Sequence, residues 1–224
     1  MEIKPIAYIK TPFKEKFGIP RQSGIIENIK GEIIFEKEFK DPDALRGIEE
    51  YSHLWLIFDF SENHREKYSS TVRPPRLGGN KRVGVFATRS PFRPNNLGLS
   101  CVKLENIKKD KNLGNVLIVS GVDLLDNTPI YDIKPYIPYC DCKQNAKGSF
   151  GEILKDKKIE VLYDKNIFLN IENDIKNVIV KIIEQDPKPA YKNDNKIYKF
   201  LFSNYEISYE INENKAKILK IEKI

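Results

Sequence analysis

Apolar and polar positions alternate with the two-residue period of a strand through much of the first half of the chain, and with the helical period of about 3.6 residues nearer its end. Residues 2–10 (EIKPIAYIK), 24–36 (GIIENIKGEIIFE), 53–60 (HLWLIFDF), 82–88 (RVGVFAT), 97–107 (LGLSCVKLENI) and 115–125 (NVLIVSGVDLL) are the runs of the first half, several of them with the first pattern. They are rich in β-branched and aromatic side chains and are punctuated by Gly, Pro, Asn and Asp, so each is predicted to be a strand. The regular helical crossovers of a doubly wound sheet are missing between them. The fold class is therefore mainly β, a sheet curled into a barrel or packed as a sandwich. One helical insert is predicted at 41–51, with Asp41 as cap, Pro42 at the first helical position, and Leu45 and Ile48 following.

The pattern changes after residues 142–151 (CKQNAKGSFG), a polar, glycine-containing stretch that divides the chain into units of 1–142 and 143–224. Beyond it Ile171, Ile175, Val178, Ile179, Ile182 and Ile183 recur at helical spacing, predicting an amphipathic helix over 169–185 that Pro187 stops. Residues 198–202, 205–211 and 216–221 read as short strands, giving a small α/β unit that needs the first domain to complete its core.

Charge changes the picture more than composition does. The chain carries a net charge of +6, yet residues 65–100 hold eight of its basic side chains (Arg65, Lys67, Arg73, Arg76, Lys81, Arg82, Arg89, Arg93) against one acid, Glu66. All of the excess positive charge sits in that stretch, as in a surface that faces a polyanion; the plainer alternative is a solvated face. Cys101, Cys140 and Cys142 lack paired metal-ligand spacing and read as reduced structural thiols. No metal is expected. Neither a secretory leader nor a membrane-spanning run is visible, so the expected location is the cytoplasm. A dinucleotide fingerprint, a P-loop and a GxSxG elbow are all missing.

Four stretches carry candidate chemistry. In 88–96 (TRSPFRPNN), two X-Pro steps present Arg89 and Arg93 from a stiff support, and guanidinium forks suit carboxylate or phosphate; a proline-rich corner with incidental arginines is the alternative. Residues 123–136 (DLLDNTPIYDIKPY) bring together three carboxylates, a lysine and two tyrosines, with turn chemistry at Asp126–Pro129. Asp132 and Lys134 lie two apart on an extended segment and share a face. A second rigid basic loop, 18–24 (GIPRQSG), separates two strands, and 186–191 (DPKPAY) offers a cation and an aromatic ring to an unpaired base or its phosphate. Of the two histidines, His53 opens a strand and reads as structural, whereas His64 begins the basic stretch and reads as a ligand contact.

Together these pieces resemble the TrmO (YaeB/TsaA) family of tRNA methyltransferases. The resemblance rests on Pro20-Arg21-Gln22, His53-Leu54-Trp55, 87–95 (ATRSPFRPN) with 97–100 (LGLS), Asp126–Pro129, Tyr131–Tyr136 and 186–191, where that family often has arginine in place of Lys188. It implies a single-sheeted β-barrel N-terminal domain that uses S-adenosylmethionine to methylate N6 of threonylcarbamoyladenosine beside the anticodon of tRNA, in a homodimer. By matching positions it implies cofactor contacts at Pro20, Arg21, Gln22, His64, Arg65, Arg89, Leu99, Asp126, Asn127, Thr128 and Pro129; the family commonly has lysine at the position of Arg65.

A sulfonium methyl donor requires alignment rather than a metal. The carbamoylated nitrogen requires an acceptor for its proton, for which Asp132 is the first candidate and Tyr131 or Tyr136 the next. Lys134 is placed to polarise the carbamoyl oxygen, and Arg93, Lys188 and Tyr191 to meet the nucleic acid. The rival readings are a non-catalytic RNA-binding protein and a methyltransferase of the same fold acting on another substrate.

Overall fold

A computed structural model of the protein describes residues 2–77, 80–153, 158–187 and 196–224, with the side chain of Arg76 excepted. The N-terminal unit is built from β1 (Ala7–Lys10), β2 (Lys30–Phe35), β3 (His53–Asp59), a two-stranded ribbon of β4 (Thr71–Val72) and β5 (Val83–Gly84), then β6 (Leu97–Asp110), β7 (Gly114–Ser120) and β8 (Thr128–Pro135). Apart from the ribbon the strands pair antiparallel in the order β1-β2-β7-β6-β3-β8, and β8 pairs back onto β1, so the sheet closes into a barrel. Closure removes the free edges that an open sheet would expose. Alternate residues such as Ile9, Ile33, Leu54, Leu56, Val102 and Leu117 fill the interior.

Pairing directions bring three connections to one end of this barrel. The ends of β1, β3 and β7 and the beginnings of β2, β6 and β8 all lie there, so residues 11–29, 60–96 and 121–127 emerge together. Gly98 makes a close approach near that end: a Cβ built on it would overlap the ring of Phe58, its cross-strand partner. On β8 an irregularity opposite Ile57 and Phe58 leaves Tyr131 as an extra residue. Thr128 and Ile130 point inward before it, and Asp132 and Lys134 point outward after it, as expected of a bulge that re-aims side chains.

Two helices of four and five residues, α1 (Pro138–Asp141) and α2 (Ser149–Ile153), follow. The C-terminal unit contains β9 (Glu160–Leu162), α3 (Asn173–Glu184), β10 (Ile197–Phe202), β11 (Tyr205–Asn212) and β12 (Lys215–Lys223), in a sheet ordered β10-β11-β12-β9. The apolar stripe of α3, Val178, Ile179, Ile182 and Ile183, is buried in one cluster with Phe200, Ile207 and Tyr209. The edge of β10 is covered by the β1–β2 connection. Leu201 N–H donates to Glu15 (2.7 Å), Ser203 N–H donates to Pro12 O (2.9 Å), and Phe17 stacks on Tyr198.

Several elements depart from the sequence expectation. Residues 41–51 form two 3₁₀ turns, Pro42–Leu45 and Ile48–Glu50, rather than one helix, because Gly47 adopts φ +85° between them. The Asp41 cap is present, its carboxylate accepting from Asp43 N–H at 2.9 Å. Only Val83–Gly84 of the 82–88 run is strand; a 3₁₀ turn at Val85–Ala87, closed by the Thr88 hydroxyl donating to Val85 O, buries Val85 instead. The long helix starts at Asn173 rather than 169, after a 3₁₀ turn capped by Asp164. Cys140 and Cys142 are exposed on α1 and its cap, so they do not pack a core.

Candidate functional site

Every residue singled out for cofactor contact on the β1–β2 loop, in the β3–β6 connection, at the start of β6 or in the β7–β8 turn falls at the barrel end described above. Their side chains are held by one another. The Arg89 guanidinium donates to Gln22 Oε1, Gln22 Nε2 donates back to Arg21 O at 2.5 Å, and Arg21 donates to Asp186 O at 2.6 Å. Pro20 is buried, which anchors this loop. Cys101 N–H of β6 donates to Ser23 Oγ at 3.1 Å, tying the loop to the strand that carries Leu99.

Beneath this contact lies Asp123. Ser100 Oγ donates to its carboxylate at 2.6 Å. Burial pushes its pKa up to about 6, against the opposing pull of the Ser100 hydroxyl, its own backbone N–H, the Ser23 N–H and the Arg89 charge. In the sequence Asp123 is one of three carboxylates in the 123–136 stretch, with nothing to rank it. Only the antiparallel pairing that sets β6 beside β7 and brings 20–24 over them reveals its partners.

The β7–β8 turn is braced differently. Asn127 adopts φ +62° and its side chain accepts from Lys10 at 2.5 Å. Asp126 accepts from Thr11 N–H (2.9 Å) and Lys14 Nζ (2.7 Å). Burial would raise its pKa, but the Lys14 ammonium and the Thr11 N–H outweigh that and hold it below the usual carboxylate value. The Thr128 hydroxyl donates to Leu125 O, and Pro129 follows opposite Tyr8 of β1.

In the β3–β6 connection, His64 Nε2 and Asp59 Oδ1 are 2.8 Å apart, and the Arg65 guanidinium sits 3.6 Å over the Phe92 ring. Arg93 turns back on its own loop, donating to Thr88 O at 2.8 Å, so it stiffens the support of Arg89. Arg65, Lys67, Arg73, Lys81 and Arg82 make no salt bridge among the described residues. Exposed Phe86 and Leu99 supply apolar surface beside them. Lys188 and Tyr191 lie outside the described residues.

The three residues expected to act on the substrate do not stay together. Asp132 and Lys134 form an ion pair of 2.9 Å on the outer face of β8. Asp132 and Leu99 both pair with Ile57, which puts them about 10 Å apart at ordinary strand spacing. Tyr136 lies four residues beyond Asp132, about 13 Å at strand rise, and its ring packs against Trp55 and His53. Trp55 Nε1 in turn donates to Asp141.

Comparison with known proteins places the chain in one family. The tRNA-methyltransferase O N-terminal domain family matches residues 8–142, and the TrmO C-terminal domain family matches residues 159–224. The tRNA (adenine(37)-N6)-methyltransferase of Escherichia coli K12 is 34% identical over 99% of this chain and 97% of its own. A putative S-adenosylmethionine-dependent methyltransferase of Pseudomonas aeruginosa is 38% identical over 85% of this chain and 83% of its own. The crystal structure of TrmO from Pseudomonas aeruginosa superimposes with a TM-score of 0.79 at 29% identity, covering 100% of this chain and 97% of that one. The family and these relatives thus define an S-adenosylmethionine-dependent methyltransferase, and the described residues form no nucleotide-binding crossover sheet. The chain belongs to the TrmO family of tRNA methyltransferases.

Proposed function

We propose that this enzyme methylates N6 of N6-threonylcarbamoyladenosine at position 37 of tRNA, and that the barrel end bearing Gln22, Arg89 and Leu99 holds its cofactor. The observation that carries this reading is the assembly of those residues beside a basic stretch in which Arg65, Lys67, Arg73, Lys81 and Arg82 make no salt bridge among the described residues. The donor set fits S-adenosylmethionine. Arg89 offers a fork to its carboxylate, Gln22 offers an acceptor oxygen to its positive groups, and Phe86 and Leu99 offer apolar surface to its adenine. When bound, the cofactor supplies a methyl group made electrophilic by the positive sulfur.

The chain's own residues supply orientation and proton handling. The stiff 88–96 loop holds Arg89, and His64, Arg65 and the Asp126–Pro129 turn complete the contacts around it. The acyl substituent on the target nitrogen weakens its lone pair and loosens its proton, so a nearby acceptor is needed as the nitrogen–carbon bond forms. Asp132 accepts that proton, and Lys134, already ordered beside it, meets the carbamoyl oxygen. Tyr136 supports the outer face rather than the reaction, given its packing on Trp55.

Units of 1–142 and 143–224 serve the cofactor and the tRNA respectively, with Lys188 and Tyr191 on the tRNA side. The homodimer contact lies beside the cofactor site, on the outer face where Ile57 and Leu97 meet. The deciding experiment incubates the protein with labelled S-adenosylmethionine and two tRNA pools, one bearing the threonylcarbamoyl group and one lacking it, then digests both to nucleosides. Label confined to threonylcarbamoyladenosine is expected. Label in neither pool would sink the reading.

A further inference from the structure

Asp123 has no place in the mechanism above beyond lying under the site, yet it is where three separate segments meet. From β6 comes the Ser100 hydroxyl at 2.6 Å, from the β1–β2 loop the Ser23 N–H, and from the 88–96 loop the charge of Arg89. Ser23 in turn accepts from Cys101 N–H, and Arg89 in turn holds Gln22, so the network closes around the carboxylate. A buried carboxylate placed under an exposed arginine is a costly arrangement for folding alone. It is a useful one for fixing where that arginine points.

We propose that Asp123 is the positioning residue of the cofactor site: its carboxylate sets the direction of Arg89 and the height of the 20–23 loop, and so governs cofactor affinity without touching the reacting atoms. This rests on the reading of Gln22 and Arg89 as cofactor contacts. With the charge present, Arg89 is restrained and its outer N–H groups are presented to a carboxylate. With the charge removed by protonation, Arg89 loses that restraint, and Gln22 is affected only through Arg89. Arg89 is the charged group that acts on Asp123; the Ser100 hydroxyl and the Ser23 N–H face it from the other two segments.

Calorimetric binding of S-adenosylhomocysteine to the full chain tests this, with wild type and Asp123→Asn compared from pH 4 to pH 8. At pH 8 the variant's Kd is expected to be weaker by roughly tenfold, the order seen when a residue that orients a binding group is lost. The ratio of variant to wild-type Kd should then fall toward one below pH 5, because the wild-type carboxylate has taken up its proton; titrations common to both proteins cancel in the ratio. Turnover at saturating S-adenosylmethionine should stay within roughly threefold of wild type, which separates positioning from proton transfer.

Ser100→Ala provides a second route should the first variant fold poorly. It removes the hydrogen bond that favours the ionised form, so the weakening of binding on acidification should begin at higher pH than in wild type. A Kd ratio near one at pH 8, a ratio independent of pH, or a loss of turnover at unchanged Kd would each overturn the proposal. Arg89→Ala separates the two ideas. If it leaves Kd unchanged while wild type binds, the cofactor reading fails; if it weakens Kd and Asp123→Asn does not, only the role of Asp123 fails.

Discussion

Asp123 also makes a prediction about folding, with a sign that can be worked out in advance. An unperturbed aspartate titrates near 3.8, and burial carries this one to about 6 in the folded protein. The folded state therefore holds the proton more tightly than the unfolded state. Above pH 6 the ionised carboxylate is a full cost to folding, and that cost is relieved as pH falls through the window from about 6 to about 4. A shift of about two units corresponds to about 3 kcal/mol in all, of which about 2.5 kcal/mol falls between pH 7 and pH 4. Asp123→Asn abolishes this term. The amide brings contacts of its own, but their contribution does not vary with pH, so the slope rather than the offset is the test. Urea unfolding of both proteins at pH 7, 6, 5 and 4 should show wild type gaining about 2.5 kcal/mol on the variant across the series, equivalent to about 5–10 °C in melting temperature for a chain of this size. Two curves separated by a constant amount at every pH would refute the buried, ionised carboxylate and the reasoning built on it.

Four further outcomes are expected. Gly98→Ala places a Cβ against the Phe58 ring and should cost about 1–3 kcal/mol by urea midpoint; an unchanged midpoint would show that the ring moves aside freely. Glu15→Ala leaves the Leu201 N–H without its acceptor, so about 1–2 kcal/mol should be lost and hydrogen exchange along β10 should accelerate; unchanged exchange at Leu201 would count against the edge contact. Leu97→Glu puts a charge into the proposed subunit contact and should shift sedimentation toward the monomer, whereas a wild type that already sediments as a monomer rules that contact out. Asp132→Asn should lower turnover on threonylcarbamoylated tRNA by roughly 100-fold at saturating cofactor, and undiminished turnover removes it as proton acceptor.

Much of the fold was legible because its strands advertise themselves. HLWLIFDF is a nearly continuous apolar run, and in the strand it forms Leu54, Leu56 and Phe58 are buried, as is Asp59. Where expectation failed, a single residue with special backbone or a short run was responsible. Gly47 breaks a helix whose cap and apolar spacing are otherwise present. β9, three residues long, forms only because β12 offers an edge, which no local signal announces. The bulge at Tyr131 was equally invisible, although it decides which way Asp132 and Lys134 face.

The candidate site was legible as a set of residue types but not as an arrangement. Prolines and arginines at 18–24 and 88–96 marked rigid cationic loops, and the structure sets them side by side through Arg89 and Gln22. What the chain could not disclose was the division of labour among chemically equal residues. Arg93 and Arg89 stand four apart in the same loop, yet one braces its own backbone and the other reaches across to a different segment. Likewise Asp123, Asp126 and Asp132 differ only in surroundings: a buried polar crossing point, a lysine-braced turn and an exposed ion pair.

The loop that carries Pro20, Arg21 and Gln22 is gripped from two sides, and this bears on how the two units cooperate. On one side Glu15, Phe17 and Arg21 dock it on β10 and on Asp186 of the C-terminal unit. On the other, Ser23 and Gln22 tie it to β6 and Arg89 over Asp123. Asp186 adopts φ +48° directly before Pro187, so its carbonyl is aimed by a backbone conformation that few residues accept. Any ligand that orders this turn in the C-terminal unit also fixes the carbonyl that Arg21 uses, and hence one anchor of the cofactor loop. By linkage, a ligand that binds better when that loop is ordered and the cofactor must strengthen each other's binding by the same factor. Measuring the Kd of S-adenosylhomocysteine with and without saturating tRNA tests it, and equal values would mean that the two grips act independently.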